Sequence, residues 1–271
     1  MKTHQAYRLL RTNDLAVDIY KDKAVIHVFG QMPSKAELEA KIRKAVPVTG
    51  FFYKDRRGKG AGEALKAPHE EIIVEEYGHK FLINLSDYLD VGLFLDHRET
   101  RNWIESQSRG KQVLNTFAYT GSFSVYAAAG GAEKTTSVDL SETYCDWIKK
   151  NLALNELPPE KNWVYKMDTL EFFRYAKRKG LTYDIIIIDP PTFSKNKGKT
   201  FSVERDYPAL INGALELLRD DGFILFSNNC TTFHLDRSRL EPCKVEEIKH
   251  LKAPDFEGWF SHWCYKIRNS A

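Results

Sequence analysis

Tyr183-Asp184-Ile185-Ile186-Ile187-Ile188, followed by Asp189-Pro190-Pro191-Thr192-Phe193-Ser194, decides the fold. Four consecutive isoleucines are β-branched and apolar on both faces, the composition of a strand buried on both sides of a parallel sheet. Two prolines cannot extend it, so an aspartate stands where the strand ends. Ligands of open α/β sheets bind just outside the carboxyl ends of the strands. There this turn offers one carboxylate and one ring on a rigid floor. Taken alone it serves equally as a strand-ending turn with a capping aspartate, and the surrounding chain has to decide.

Upstream, strands and helices alternate. Val113–Phe117 reads as a strand, Ala118–Ser122 as a turn, and Phe123–Ala129 as an alanine-rich helix stopped by Gly130-Gly131. Thr135–Val138 is a second strand ending in Asp139. Ser141 can cap the next helix, in which Tyr144, Ile148 and Leu152 recur every four residues as a buried face. Trp163–Met167 is a third strand ending in Asp168, and a helix through Leu170, Phe173 and Ala176 leads to the isoleucine strand. Gly222–Phe226 is a fifth, and Lys244–Ile248 and His262–Ile267 close the sheet. This order predicts an α/β fold with a doubly wound, Rossmann-like sheet.

One acid follows each of strands two, three and four: Asp139, Asp168 and Asp189. The first of these positions can accept both hydroxyls of a ribose, and the second an adenine amine. A glycine turn after strand one lets a ligand approach the backbone. A single acid of this kind is commonly a helix cap, but three at successive strand ends describe a nucleoside-containing cofactor. Asn115-Thr116-Phe117-Ala118-Tyr119-Thr120-Gly121 has one glycine where a dinucleotide fold wants Gly-x-Gly-x-x-Gly, and there is no Walker lysine motif. S-adenosylmethionine carries no phosphate and so is favoured over NAD or ATP.

The chain resembles class I S-adenosylmethionine-dependent methyltransferases of the 23S ribosomal RNA large-subunit type, in particular the C-terminal, N7-guanine-methylating half of the bacterial bifunctional enzyme. The resemblance is carried by Asn84–Arg98, Leu114–Ser122, Val138–Tyr144, Asp189–Ser194 and Phe226–Asn229, with Leu15–Tyr20 and Tyr53–Gly60 also related. It implies a stand-alone counterpart of that half. Asp139 would hold the cofactor ribose and Asp168, with Met167 nearby, the adenine. Asn115, Phe117, Tyr119, Thr120 and Gly121 would lie under the methionine portion, and Leu140 completes the cofactor set. Asp96 and Arg98 would close over the cofactor, Arg98 pairing its carboxylate. Asp189, counted with the cofactor residues as well, and Phe193 would face the target base, Phe193 by stacking, although Thr192 intervenes between the prolines and the ring. Asn228 would hydrogen-bond a base edge.

Charge divides the chain. The net is +3, yet residues 1–60 hold 13 Lys and Arg against 6 Asp and Glu, or +7, leaving −4 for the rest. A basic α/β subdomain over residues 1–85, beside a methyltransferase domain over 86–271, fits phosphate-backbone binding. Its elements are strands at Ala24–Phe29, Phe51–Tyr53, Glu71–Glu76 and Lys80–Leu85, and a helix over Ser34–Ala45. Arg56, Arg57 and Lys59 form one candidate RNA patch. Lys195 and Lys197, with Lys199, form a second in a lysine-rich loop beyond the Asp-Pro-Pro turn. The expected partner is 23S ribosomal RNA or a pre-ribosomal particle.

Other features are quiet. No apolar run is long enough to span a membrane, and Met1-Lys2-Thr3-His4-Gln5 has no signal-peptide core. Cys145, Cys230, Cys243 and Cys264 have neither zinc nor disulfide spacing, and no metal is expected. A reduced, cytoplasmic enzyme is the simplest reading. Two rivals remain open: a 5-methylcytosine ribosomal RNA methyltransferase, and a nonenzymatic protein that binds cofactor and RNA. The related cytosine enzymes place a nucleophilic cysteine directly after the serine ending strand five. Here Asn228 follows Ser227, and Cys230 comes two residues later.

Overall fold

Short apolar segments build a small sheet from Ala6–Arg11 (β1), Leu15–Tyr20 (β2), Lys23–Val28 (β3) and, after the helix Lys35–Ala45 (α1), Gly50–Asp55 (β4). The order is β1-β2-β3-β4, antiparallel except that β3 and β4 run parallel, because α1 carries the chain back across the sheet. Leu38 and Ile42, one helical turn apart on α1, pack with Val17, Ile19, Ala24 and Ile26. Glu71–Glu76 (β5) and His79–Asn84 (β6) form a separate hairpin. Its two-residue turn, Tyr77-Gly78, has φ of 52° and 90°, the left-handed pair that matches strand twist. The structure is a computed structural model that describes residues 4–58, 69–196 and 199–270.

The helix Arg98–Gln107 (α2) precedes the larger sheet. Its strands and helices are Gln112–Thr116 (β7), Ser122–Ala129 (α3), Lys134–Asp139 (β8), Glu142–Leu154 (α4), Asn162–Lys166 (β9), Thr169–Arg178 (α5) and Tyr183–Ile188 (β10). A hairpin follows, Phe193–Asn196 (β11) and Lys199–Ser202 (β12), then Val203–Leu215 (α6), Leu218–Asn228 (β13), Cys243–Glu247 (β14) and Trp263–Asn269 (β15). Seven strands order as β14-β15-β13-β10-β7-β8-β9, parallel from β13 to β9 with β15 and β14 antiparallel at one edge. The four isoleucines of β10 are at most 1% exposed. Ile186 and Ile188 join the core with Phe173 and Leu210, while Ile185 and Ile187 join Val113 and Phe123 on the opposite face. Burial on both faces is why this strand carries no alternation.

The chain forms two compact units, Met1–Arg98 with Ala253–Glu257, and Glu99–Lys252 with Gly258–Ala271. The boundary read near residue 85 falls inside the first unit. Lys54 on β4 donates to the carbonyls of Ser86 (3.3 Å) and Tyr88 (2.5 Å), and Asn84 N donates to Val91 O (2.9 Å), so residues 86–91 are held by the small unit. Residues 253–257 return to it because Asp255 accepts Arg8 N (2.7 Å) and pairs with Arg98. Among the described residues no helix is long and apolar enough to cross a membrane.

Candidate active site

From β7 the chain steps outward to β8 and β9, then returns to lay β10 on the other side of β7. Loops leaving the two strands at such a reversal splay apart and open a crevice. Ile188 pairs with Thr116 and with Phe226, and Thr116 pairs with Val138. The next residues, Ser227, Asp189, Phe117 and Asp139, therefore stand in one row along the carboxyl edge.

The turn after β7 is held in an unusual conformation. Phe117 and Tyr119 have φ of 52° and 53°, and Gly121 has φ of 80°. A left-handed non-glycine residue costs about 1–2 kcal/mol, so neighbouring groups must hold the turn. Tyr119 N donates to Asp139 Oδ2 (2.9 Å), Asn151 Nδ2 donates to Thr120 O (2.8 Å), and the Tyr119 ring meets Tyr144 edge-on at 4.8 Å. A Cβ at Gly121 would lie 2.8 Å from Ile148 Cγ2. Gly121→Ala should cost about 2–5 kcal/mol, strain plus overpacking, and lower the Tm by several degrees. An unchanged Tm would refute this packing of the turn.

Asp139 receives one backbone N–H on each oxygen, from Tyr119 on Oδ2 and from Ser141 on Oδ1 (2.9 Å). Each oxygen keeps a second lone pair. Burial pushes its pKa up, and the backbone donors, Ser141 and then Tyr119, recover only part of that shift. Met167 N donates to Asp139 O (3.0 Å), so the ends of β8 and β9 stay side by side. Asp168 caps α5, its Oδ1 accepting from Leu170 N (3.0 Å) and Glu171 N (3.1 Å), which leaves Oδ2 outside the cap. Leu140 is 47% exposed on the same edge.

Two residues expected beneath the cofactor are enclosed instead. Asn115 and Thr120 are 2% and 0% exposed. Asn115 Nδ2 donates to Ser124 Oγ (2.9 Å), and Ser124 bonds Ser137 (2.7 Å), tying β7, α3 and β8 together. Asn115 thus braces the start of α3, and Thr120 is itself held by Asn151.

On the other side of the crevice, Ser227 Oγ donates to Asp189 Oδ1 (2.6 Å) and Thr192 Oγ1 to Asn229 Oδ1 (2.7 Å). The Asp-Pro-Pro-Thr turn is thus laced to the end of β13. Phe193 opens the β11–β12 hairpin with its side chain 54% exposed, and Lys195 Nζ lies 5.9 Å from its ring centre. Phe201 of the same hairpin packs on Phe117 at 5.8 Å. The lysine-rich segment read as a loop is therefore this hairpin. Lys197 and Lys59 lie outside the described residues.

Asn228, the last residue of β13, is 1% exposed. Its Oδ1 accepts from Cys230 N (3.1 Å), which fixes the amide orientation, and its buried Nδ2 has no partner. A buried donor left unsatisfied costs about 1–3 kcal/mol, and such groups call for a functional or structural reason. Cys230 is buried, its Sγ 3.4 Å from Thr232 Oγ1. Burial, then the charge of Asp189, raises the Cys264 thiol, and burial raises Cys145 and Cys243 as well. These three thiols stay protonated at neutral pH.

Asp96 and Arg98 belong to the first unit. Asp96 sits half-buried in the short 3-10 turn Leu95–His97. Arg98, expected to take a cofactor carboxylate, is 3% exposed, donates to Ala6 O (3.2 Å) and pairs with Asp255. Its guanidinium is committed to an internal acid that no sequence motif announces. Arg56, expected to face RNA, turns inward too. It donates to Asp90 (2.6 Å), to Leu89 O (3.2 Å) and to His27 Nδ1 (3.3 Å). His27 Nε2 lies 3.2 Å from buried Asp18, which Arg8 grips at 2.7 and 2.9 Å. Burial pushes Asp18 up, but the bonds from His27 and Arg8 outweigh it and hold its pKa below the usual value. Neighbouring Lys54 is 1% exposed, and burial, then Arg56, brings its pKa down to about 8. Arg57 alone of the described patch is exposed, and it pairs with Asp55.

A family profile described as S-adenosylmethionine-dependent methyltransferase matches residues 51–254. The ribosomal RNA large subunit methyltransferase K of Neisseria meningitidis is 38% identical over 94% of this chain and 77% of its own length. The ribosomal RNA large subunit methyltransferase K/L of Shewanella frigidimarina is 39% identical over 92% of this chain but only 38% of its own length, so the chain spans well under half of that protein. Among solved structures, SMU.776, crystallised with SAH, superposes with a TM-score of 0.82. It is 30% identical, over 98% of this chain and 76% of the other.

Proposed function

Because this chain belongs to the S-adenosylmethionine-dependent methyltransferase family, we propose that it methylates large-subunit ribosomal RNA, at N7 of a guanine. The RNA class is supported by the two ribosomal relatives and by the excess of positive charge over residues 1–60. S-adenosylmethionine is the cofactor, and its sulfonium supplies the methyl group. The residues present fit it: a desolvated carboxylate at Asp139 for the ribose hydroxyls, an acceptor at Asp168 Oδ2 for the adenine amine, and a backbone turn at 117–121 held open by its left-handed residues.

The observation that carries the target atom is Asn228. Its oxygen accepts Cys230 N, which fixes the amide and leaves its enclosed nitrogen as a donor without a partner at the end of β13. Amino nitrogens of adenine, cytosine or guanine would want acceptors at this position. The N7 edge of guanine carries two acceptors, N7 and O6. A donor on O6 leaves N7 free as a neutral nucleophile. N7 needs no prior deprotonation, so the protein's task is alignment, worth about 7–11 kcal/mol when geometry is good. Asp189 and Phe193 flank the position of the base, Phe193 by stacking. Mapping modified nucleotides in ribosomal RNA treated with the protein tests the reading. Cleavage at one guanine after reduction and aniline is expected, whereas 5-methylcytidine as the product would overturn it.

RNA binding is expected at exposed cations. Charge reversal at Arg57 and Lys195 should weaken ribosomal RNA binding and reduce the slope of log K against log salt by about 0.7–0.9 for each phosphate no longer neutralised. S-adenosylmethionine affinity should stay constant. An unchanged salt slope would remove both residues from the RNA path. Arg56 is unsuitable for this test, because reversing it would break its bonds to Asp90 and His27.

A further inference from the structure

We propose that Phe260, backed by Trp263, is a stacking platform for the nucleotide adjacent to the methylated one, an inference that rests on the RNA reading above. Phe260 is 41% exposed, and its ring packs on Trp263 at 5.4 Å with an interplanar angle of 57°. Trp263 is fixed from behind. It opens β15 directly opposite Asn228 on β13, and its indole Nε1 donates to Cys230 O (2.9 Å). The pair therefore stands at the same carboxyl edge as the base-facing residues, and the backbone around Asn228 sets its position.

The placement is two-sided. β13 lies between β10 and β15. The turn after β10 carries Phe193, 54% exposed, and the segment entering β15 carries Phe260. The end of β13, with its buried unpartnered donor on Asn228, lies between the strand that one of these segments leaves and the strand that the other enters. Two strand spacings amount to about 9–10 Å. Stacked bases lie about 3.4 Å apart, as in a duplex, so segments anchored on strands at that spacing have room for a target base and one unstacked neighbour of a single strand. A large exposed ring costs solubility and contributes little to folding, but every base offers a face for it to stack on. The occupant this fits is a flanking base of single-stranded RNA. Such stacking would contribute to substrate choice, because a base held by both neighbours is presented in one register.

The test compares the whole protein with Phe260→Ala, Phe260→Leu and Phe260→Tyr on a ribosomal RNA fragment that the unaltered protein methylates. Stacking is worth about 1–3 kcal/mol per base. The partial exposure of Phe260 puts it in the lower part of that range, a fall of roughly five- to thirtyfold in kcat/KM. Alanine and leucine should both show this fall, tyrosine should restore activity, and S-adenosylmethionine affinity by calorimetry should be constant throughout. Leucine keeps the apolar bulk, so a merely structural role would leave Phe260→Leu near the unaltered value. If both alanine and leucine variants stay within twofold, the platform is refuted while the RNA reading stands. If the unaltered protein binds cofactor but methylates no ribosomal RNA fragment, the RNA reading fails and this inference fails with it.

Discussion

Asp139→Ala should weaken S-adenosylmethionine binding by about a hundredfold or more. Two ribose hydroxyls donating to one ionised carboxylate form two bonds of about 1.5–3 kcal/mol each, and every 1.4 kcal/mol is a factor of ten. The substitution also strips the acceptor from Tyr119 N and Ser141 N, so some loss of stability should accompany it. Calorimetry on the folded variant separates the two effects. Affinity within threefold of the unaltered protein would sink the ribose assignment. The same carboxylate sets a pH dependence. Burial raises its pKa in the folded protein, and only the ionised form offers two full acceptors. Affinity should be complete above that raised pKa and decline as pH falls through it, at a higher pH than for an ordinary aspartate. For stability the sign is opposite. The unfolded chain releases this proton at lower pH than the folded one, so the contribution of Asp139 to folding is lost as pH rises through the folded pKa.

Asn228→Asp should lose about ten- to a hundredfold in methyl transfer to ribosomal RNA, whereas Cys230→Ala should retain it. Aspartate keeps the oxygen that Cys230 N needs but removes the donor, and an acceptor facing guanine O6 leaves a hydrogen bond unmade, at about 1–3 kcal/mol. Cofactor affinity should not change in either variant. Carbon-5 methylation of cytosine requires a thiolate that adds to the ring. A folded, cofactor-binding Cys230→Ala protein that is inactive would favour that chemistry over N7 transfer. Active Asn228→Asp would remove the base-reading role from Asn228.

Local and long-range information part company at particular elements. The four-isoleucine strand was readable to its ends, Tyr183 and Ile188, because burial on both faces and the proline stop are properties of adjacent residues. The β11–β12 hairpin carries the signature of a loop, since Lys195, Lys197 and Lys199 alternate with polar residues and glycine and carry no apolar face. What makes it a hairpin is its own cross-strand pairing and the packing of Phe201 on Phe117. Helix α6 carries Pro208 in its interior, a residue that reads as a stop. Its buried Tyr207, Leu210, Ile211 and Ala214 hold the helix despite the missing N–H.

By itself, then, the order of residues determined the alternating sheet, both ends of β10, and an acid following three of the strands, because strand burial and turn chemistry act over a few neighbours; β13, read as Gly222–Phe226, runs instead from Leu218 to Asn228. That order also determined that Asn228 and not a cysteine follows Ser227. Only the tertiary structure decided which charges face inward. Arg98 meets Asp255 across 157 residues of chain, and Arg56 meets Asp90 across 34. A cation in a motif looks the same whether a ligand or an internal acid neutralises it, and desolvation selects the partner that folding brings within reach. The same holds for Asn228, whose amide could point either way until the backbone N–H of Cys230 fixed where its oxygen lies.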